Sequence, residues 1–93
     1  MTPESQRIAI AEACGLTGYL HSLPDYLSDI NAMNEAEKML TDAQYIYFAA
    51  ELNACWFHDN PQTDKRVGIL RSASATAAQR AEAFLRTLNL WTE

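Results

Sequence analysis

Cys55-Trp-Phe-His58 is the stretch whose reading decides the fold of this chain. Its aromatic side chains suit a half-buried pleated surface, so the run predicts a β-strand. Asp59-Asn-Pro-Gln-Thr-Asp64 follows as a turn, with Asn60-Pro61 initiating it. Arg66-Val-Gly-Ile-Leu-Arg71 then returns as a second strand, and 55–71 predicts an antiparallel hairpin. A short apolar run from Leu16 to His21 offers 18–21 as an edge strand. The fold class expected is therefore α+β: an α/β/α-like sandwich in which four helical segments cover a small antiparallel sheet.

Those four segments are expected near 3–14, 23–40, 42–54 and 77–88. Upstream of the aromatic run, Thr41-Asp-Ala-Gln44 is a capping box, with Tyr45, Phe48, Ala49 and Leu52 as the apolar stripe behind it. Before it, Tyr26, Ile30, Met33, Ala36 and Leu40 recur at helical spacing, with Ser22 placed to cap and Pro24 in the first turn. Asn31, Asn34, Glu35 and Lys38 make the wet face of this segment. The box leaves open whether 25–54 is one kinked helix or two. Thr2-Pro3-Glu4 predicts a helix start that runs to about Cys14, exposing Arg7, burying Ile8, Ile10, Ala11, Ala13 and Cys14, and ending on Gly15. Thr76-Ala-Ala-Gln79 is a second capping box, opening a helix with Ala81, Phe84, Leu85 and Leu88 inward and a left-handed stop at Asn89. The predicted core is Ile8, Ala11, Tyr26, Ile30, Met33, Leu40, Phe48, Leu52, Val67 or Ile69, Phe84, Leu85 and Leu88.

The 93 residues fit one domain spanning 1–93, and their 48% apolar content is that of a globular chain. With neither a membrane-length apolar run nor a signal pattern, a soluble, cytoplasmic protein is expected. Charge is unevenly divided. Residues 1–64 carry ten acids against Arg7 and Lys38, while residues 65–93 carry five bases against Glu82 and Glu93. A net −8 thus precedes a net +3, an asymmetry that biases partners.

Cys14, His21, Cys55 and His58 are zinc-ligand types, but only Cys55 and His58 stand at a ligand spacing, so no metal or cofactor is expected. Nothing in the pattern sets either His beside either Cys, and the serines fall in caps and turns; no catalytic residues are expected. Asp25 and Asp29 lie one turn apart and, with Glu35 and Lys38, form the candidate partner-binding set. Acids there also suit the positive end of a helix without any ligand. Trp56, Lys65, Arg66 and Arg71 are the alternative, a nucleic-acid grip on the hairpin, with bases stacking on aromatics. The acidic balance weighs against that alternative.

Ile8-Ala-Ile-Ala-Glu-Ala-Cys-Gly15, Leu23 to Lys38 with its Pro-Asp-Tyr-Leu-Ser-Asp-Ile core, and Ala75 to Leu88 with Trp91 resemble the phage ABA-sandwich domain family. Here Leu16 to Leu23 fills the interval where members carry a longer, often Trp-bearing segment. The resemblance implies an α/β/α arrangement and a phage or prophage origin, and implies no activity. The function expected is that of a non-enzymatic interaction protein in the cytoplasm of a bacterial host. It would bind a host or phage protein, inhibition of a host defence system being one such role. A homo-oligomer is compatible with the same features, and a membrane partner is not expected.

Overall fold

Four side chains start the helices, each by accepting a hydrogen bond from a backbone N–H that would otherwise lack a partner. The computed structural model describes residues 1–16, 23–62, 64 and 75–92, and among them the elements are α1 (Pro3–Ala13), α2 (Ile30–Glu37), α3 (Asp42–Asp59) and α4 (Ala77–Thr87). Thr2 caps α1 and Asp29 caps α2. Thr41 and Thr76 cap α3 and α4 through complete boxes, with Gln44 and Gln79 reaching back to the cap amides. Two ends close alike. Gly15 (φ 78°) and Asn89 (φ 58°) turn left-handed. Leu16 N then donates to Ala11 O and Leu90 N to Leu85 O, both at 2.8 Å, the longer bond of a Schellman stop.

The expected α+β sandwich is corrected: the described residues form helices and no strand. Cys55-Trp-Phe-His58 is the last part of α3, which removes the first strand of the hairpin. Its second strand, 66–71, and the edge at 18–21 lie outside the described residues, as do Val67 and Ile69. The physical reason is packing. Phe48, Leu52 and Cys55 continue one buried stripe at helical spacing, and burial against a neighbour outweighs the weak strand preference of a four-residue aromatic run. Pro61 supplies the stop, because a residue before proline is pushed out of helical geometry. Asn60, at φ −134° and ψ 57°, ends α3, and its side-chain amide donates to Trp56 O at 2.8 Å.

The helix expected over 23–40 is also shorter than its stripe. Asp29 Oδ1 accepts from Asn31 N and Ala32 N, so the helix begins at Ile30 rather than beside Ser22. Residues 25–28 form a turn held by Asp29 N to Asp25 O and by the Ser28 hydroxyl to Asp25 Oδ2. Short polar side chains that bond nearby backbone compete with helix in this way. Tyr26 still reaches the core, from the turn, while Ile30 is exposed. Residues 38–41 separate α2 from α3, so 25–54 is not one kinked helix. Ile8 also lies outward; Ile10 takes its place in the core.

α4 is the element on which the others meet, since α1, α2 and α3 all pack against it, α3 most extensively. Ala81, Ala83, Phe84 and Leu85 have no exposed surface, and the alanines let neighbouring backbones approach. Arg7, expected outside, instead lies across to the carbonyls of Leu23 (2.7 Å) and Pro24 (3.3 Å), tying α1 to the segment that enters α2. Thr41→Ala and Thr76→Ala are each expected to lower stability by about 1 kcal/mol, read from denaturant melts. An unchanged midpoint in either would show that its box contributes nothing.

Candidate functional site

The residues proposed from sequence as a partner-binding set each have a local partner. Asp25 accepts from Ser28 and Asp29 caps α2, so both are used by local structure. Glu35 and Lys38 pair with each other at 2.8 Å, each side chain 71% exposed, an ion pair worth little in water. Of the alternative set, Trp56 is half-buried on α3 and meets Phe57 edge-on at 5.4 Å. Lys65, Arg66 and Arg71 lie outside the described residues, as does His21.

Where α3 crosses α4, polar groups do collect. Cys55 Sγ donates to Glu82 Oε2 at 3.2 Å, and Arg86 Nε donates to the same oxygen at 2.8 Å. Burial, with the Glu82 carboxylate beside it, pushes the Cys55 thiol up to about 12. A thiol so placed keeps its proton at neutral pH and is no nucleophile. His58 is paired with Asp59 rather than with the thiol, and Gln79 Nε2 holds the other Asp59 oxygen at 2.7 Å. These contacts lock α3 to α4; among the described residues no group of three His, Cys, Asp or Glu side chains is arranged to hold a metal ion.

A different cluster stands between the end of α2 and the start of α3. Glu37, the last residue of α2, is only 6% exposed, and its Oε1 accepts from Arg80 Nη1 on α4 at 2.7 Å. Its second oxygen, Oε2, is buried and has no hydrogen-bond partner among the described residues. Burial raises the Glu37 carboxyl above its ordinary range, and the nearby Arg80 guanidinium opposes that rise. Glu37 also lines a cleft of about 330 Å³ together with Asn34, Lys38, Leu40, Asp42 and Tyr45. An unpartnered carboxylate oxygen is costly in a protein interior, and the Arg80 ion pair on the other oxygen offsets part of that cost. The sequence held a signal for it: Glu37 falls one helical turn after Met33, on the edge of the apolar stripe rather than on the wet face.

Beside the cleft, the outer face of α3 is uncharged. Ala43, Ile46, Tyr47, Ala50 and Ala54 are all exposed, with Ile46 at 72% and Tyr47 at 68%. Tyr45, half exposed, joins this face to the cleft and rests on Phe48 with ring centroids 5.5 Å apart. The stripe read from sequence accounted for Phe48 and Leu52 and left Ile46 and Tyr47 without a role, which was the available signal. No helix among the described residues is long and apolar enough to cross a membrane. No protein-family model matches the chain, and neither a curated protein nor a solved structure matches it.

Arg80→Ala strands a buried carboxylate and is expected to cost about 3 kcal/mol, against a few tenths for Lys38→Ala. Because the folded Glu37 carboxyl titrates above its unfolded value, its contribution is greatest below the unfolded range and falls as pH rises through the folded value. The stability difference between wild type and Glu37→Gln should therefore move in favour of wild type as pH is lowered; movement the other way would mean Arg80 outweighs burial. A thiol reagent should label half-buried Cys14 ahead of Cys55, which reacts only on unfolding. Equal rates for the two would contradict the lock described for Cys55.

Proposed function

We propose that this chain is a non-enzymatic interaction protein of phage or prophage origin that binds a host or phage protein. The observation that carries the reading is the uncharged, exposed outer face of α3, centred on Ile46 and Tyr47. Helices of globular proteins ordinarily present charge to water on their outer side. Exposed apolar faces with a polar rim are the usual mark of a protein contact, and tyrosine is favoured at such contacts. Asp42, exposed in the first turn of α3, stands one helical turn before Ile46 and gives the face an acidic end. A net −8 over residues 1–64 suits a basic partner, which electrostatic attraction would bring in quickly at low salt.

The resemblance to the phage ABA-sandwich domain family supports the origin, on the three blocks that carry it. Silencing a host defence protein is one role that a small acidic binder could fill in the host cytoplasm. The rival, a nucleic-acid module, rested on a hairpin whose first strand is helix, and its Trp56 packs against the protein.

Ile46→Asp and Tyr47→Ala alter exposed side chains and are expected to leave stability within about 0.5 kcal/mol. Affinity purification from a bacterial host, at low and high salt, should retain a basic protein with wild type and lose it with either variant. Retention unchanged by both substitutions would sink this face as the contact. Salt-dependent binding of DNA or RNA would favour the rival, and a stable homo-oligomer that retains nothing would replace the host partner with self-assembly.

A further inference from the structure

We propose that the outer face of α3 receives an α-helix of the partner protein, one whose apolar stripe is bordered by Lys or Arg side chains. The inference rests on the reading of this chain as a protein-binding protein and specifies which kind of element the partner presents. Phe48, Leu52 and Cys55 are buried, and at about 100° per residue Ala50 stands on the opposite side of the helix from all three. Ala43, Ile46, Tyr47 and Ala54 fall within about 60° of Ala50, and all five are exposed. Phe57, half-buried, continues the stripe toward the end of α3.

The spacing along the stripe is that of a helix seam. Ala43, Tyr47, Ala50 and Ala54 follow one another at steps of four, three and four, with Ile46 beside Tyr47. Two helices interlock at this spacing, side chains of one entering gaps on the other. The gaps here lie over the alanines, and the projections are Ile46 and Tyr47. Small side chains at a seam also let two helix axes approach to the close end of their usual range. A β-strand repeats its side chains every second residue and cannot keep step with such a surface. From Ala43 to Ala54 the seam is roughly 16 Å long, about three turns of a facing helix.

Charge selects the borders of that helix. α3 carries Asp42, Glu51 and Asp59 but no Lys or Arg, and its His58 contacts Asp59. Asp42 stands on one border of the stripe and Glu51 on the other. Arg86, which lines the same cleft as Glu51, is already held by Glu82 at 2.8 Å. A facing helix with acidic borders is therefore repelled, and one with basic borders is drawn in. The same charges weigh against a second copy of this chain as the occupant. Two such stripes set antiparallel about Ala50 bring Glu51 to the same side as its counterpart, and each chain has a net charge of −5.

The probe is an end-blocked peptide of about 18 residues, long enough to form a helix when bound, with Leu and Ala at the seam positions of a heptad pattern and Lys on both borders. One control replaces every Lys by Glu, and a second keeps Lys but scrambles the apolar positions. Amide chemical shifts of the folded protein follow binding. The Lys-bordered peptide is expected to give saturable changes centred on Ile46, Tyr47, Ala50 and Ala54, at least about tenfold tighter than either control. Ile46→Asp should weaken binding about tenfold or more, and Asp42→Asn about threefold. Both variants change exposed residues, so the fold is kept while the contact is tested. Equal affinity for the Glu-bordered or scrambled peptide, or binding that Ile46→Asp leaves unchanged, would overturn the inference. So would a stable dimer of the chain, paired through these residues, that excludes the peptide. The peptide bound as expected when no partner is retained from host extract would support the helix-receiving face and defeat only the partner reading. A partner retained through Ile46 and Tyr47 without any peptide binding would do the reverse.

Discussion

Phe84 and Leu85 lie wholly inside the protein, and three other helices are arranged by the need to cover them. A chain of this size has little apolar surface to spare, so one shared helix is an economical way to build a core. α4 can serve because Ala81 and Ala83 on its flanks leave room for close approach. Polar contacts then fix how each neighbour sits. Glu82 takes bonds from Cys55 on α3 and from Arg86 on α4, and Arg80 takes hold of Glu37 on α2. A cation on α4 that is nearly buried with its partner carboxylate favours a single arrangement of α2, since any other leaves one of the two charges without the other.

What the sequence announced best was local. Thr41-Asp-Ala-Gln44 and Thr76-Ala-Ala-Gln79 are capping boxes in the structure as in the reading, and Gly15 and Asn89 stop their helices in the left-handed region. Each of these depends on a few adjacent residues and on backbone geometry alone. The strand at 55–58 failed for the opposite reason. Trp56 and Phe57 favour strands on average, yet the deciding contact is Cys55 against Glu82, separated by 27 residues. The proline taken as opening a hairpin turn serves instead to end a long helix. Asp29 shows a third kind of error: the apolar stripe continued through Tyr26, but a side-chain cap four residues short of Met33 set the start of the helix.

The site was less legible than the fold. Exposed acids such as Asp25 and Asp29 attracted attention as candidate contacts, and both turn out to hold local backbone or a neighbouring hydroxyl. Glu37 was easy to pass over because one more acid on a helix of mixed composition is ordinary. Its importance depends on Arg80, 43 positions away, and on the burial that the pair shares. Ile46 and Tyr47 are the converse case, since their apolar character was plain and only their outward direction was not.

α2 has eight residues, fewer than a helix needs to persist alone in water. Its order is therefore borrowed from Met33 and Ala36 in the core and from Glu37 at its far end. Such a segment can open as a unit while α4 stays folded. The cleft exists only while that unit is closed, because Asn34, Glu37 and Lys38 form one of its walls. Whatever occupies the cleft thus adds to the stability of α2 by mass action, and whatever steadies α2 prepares the cleft to be occupied.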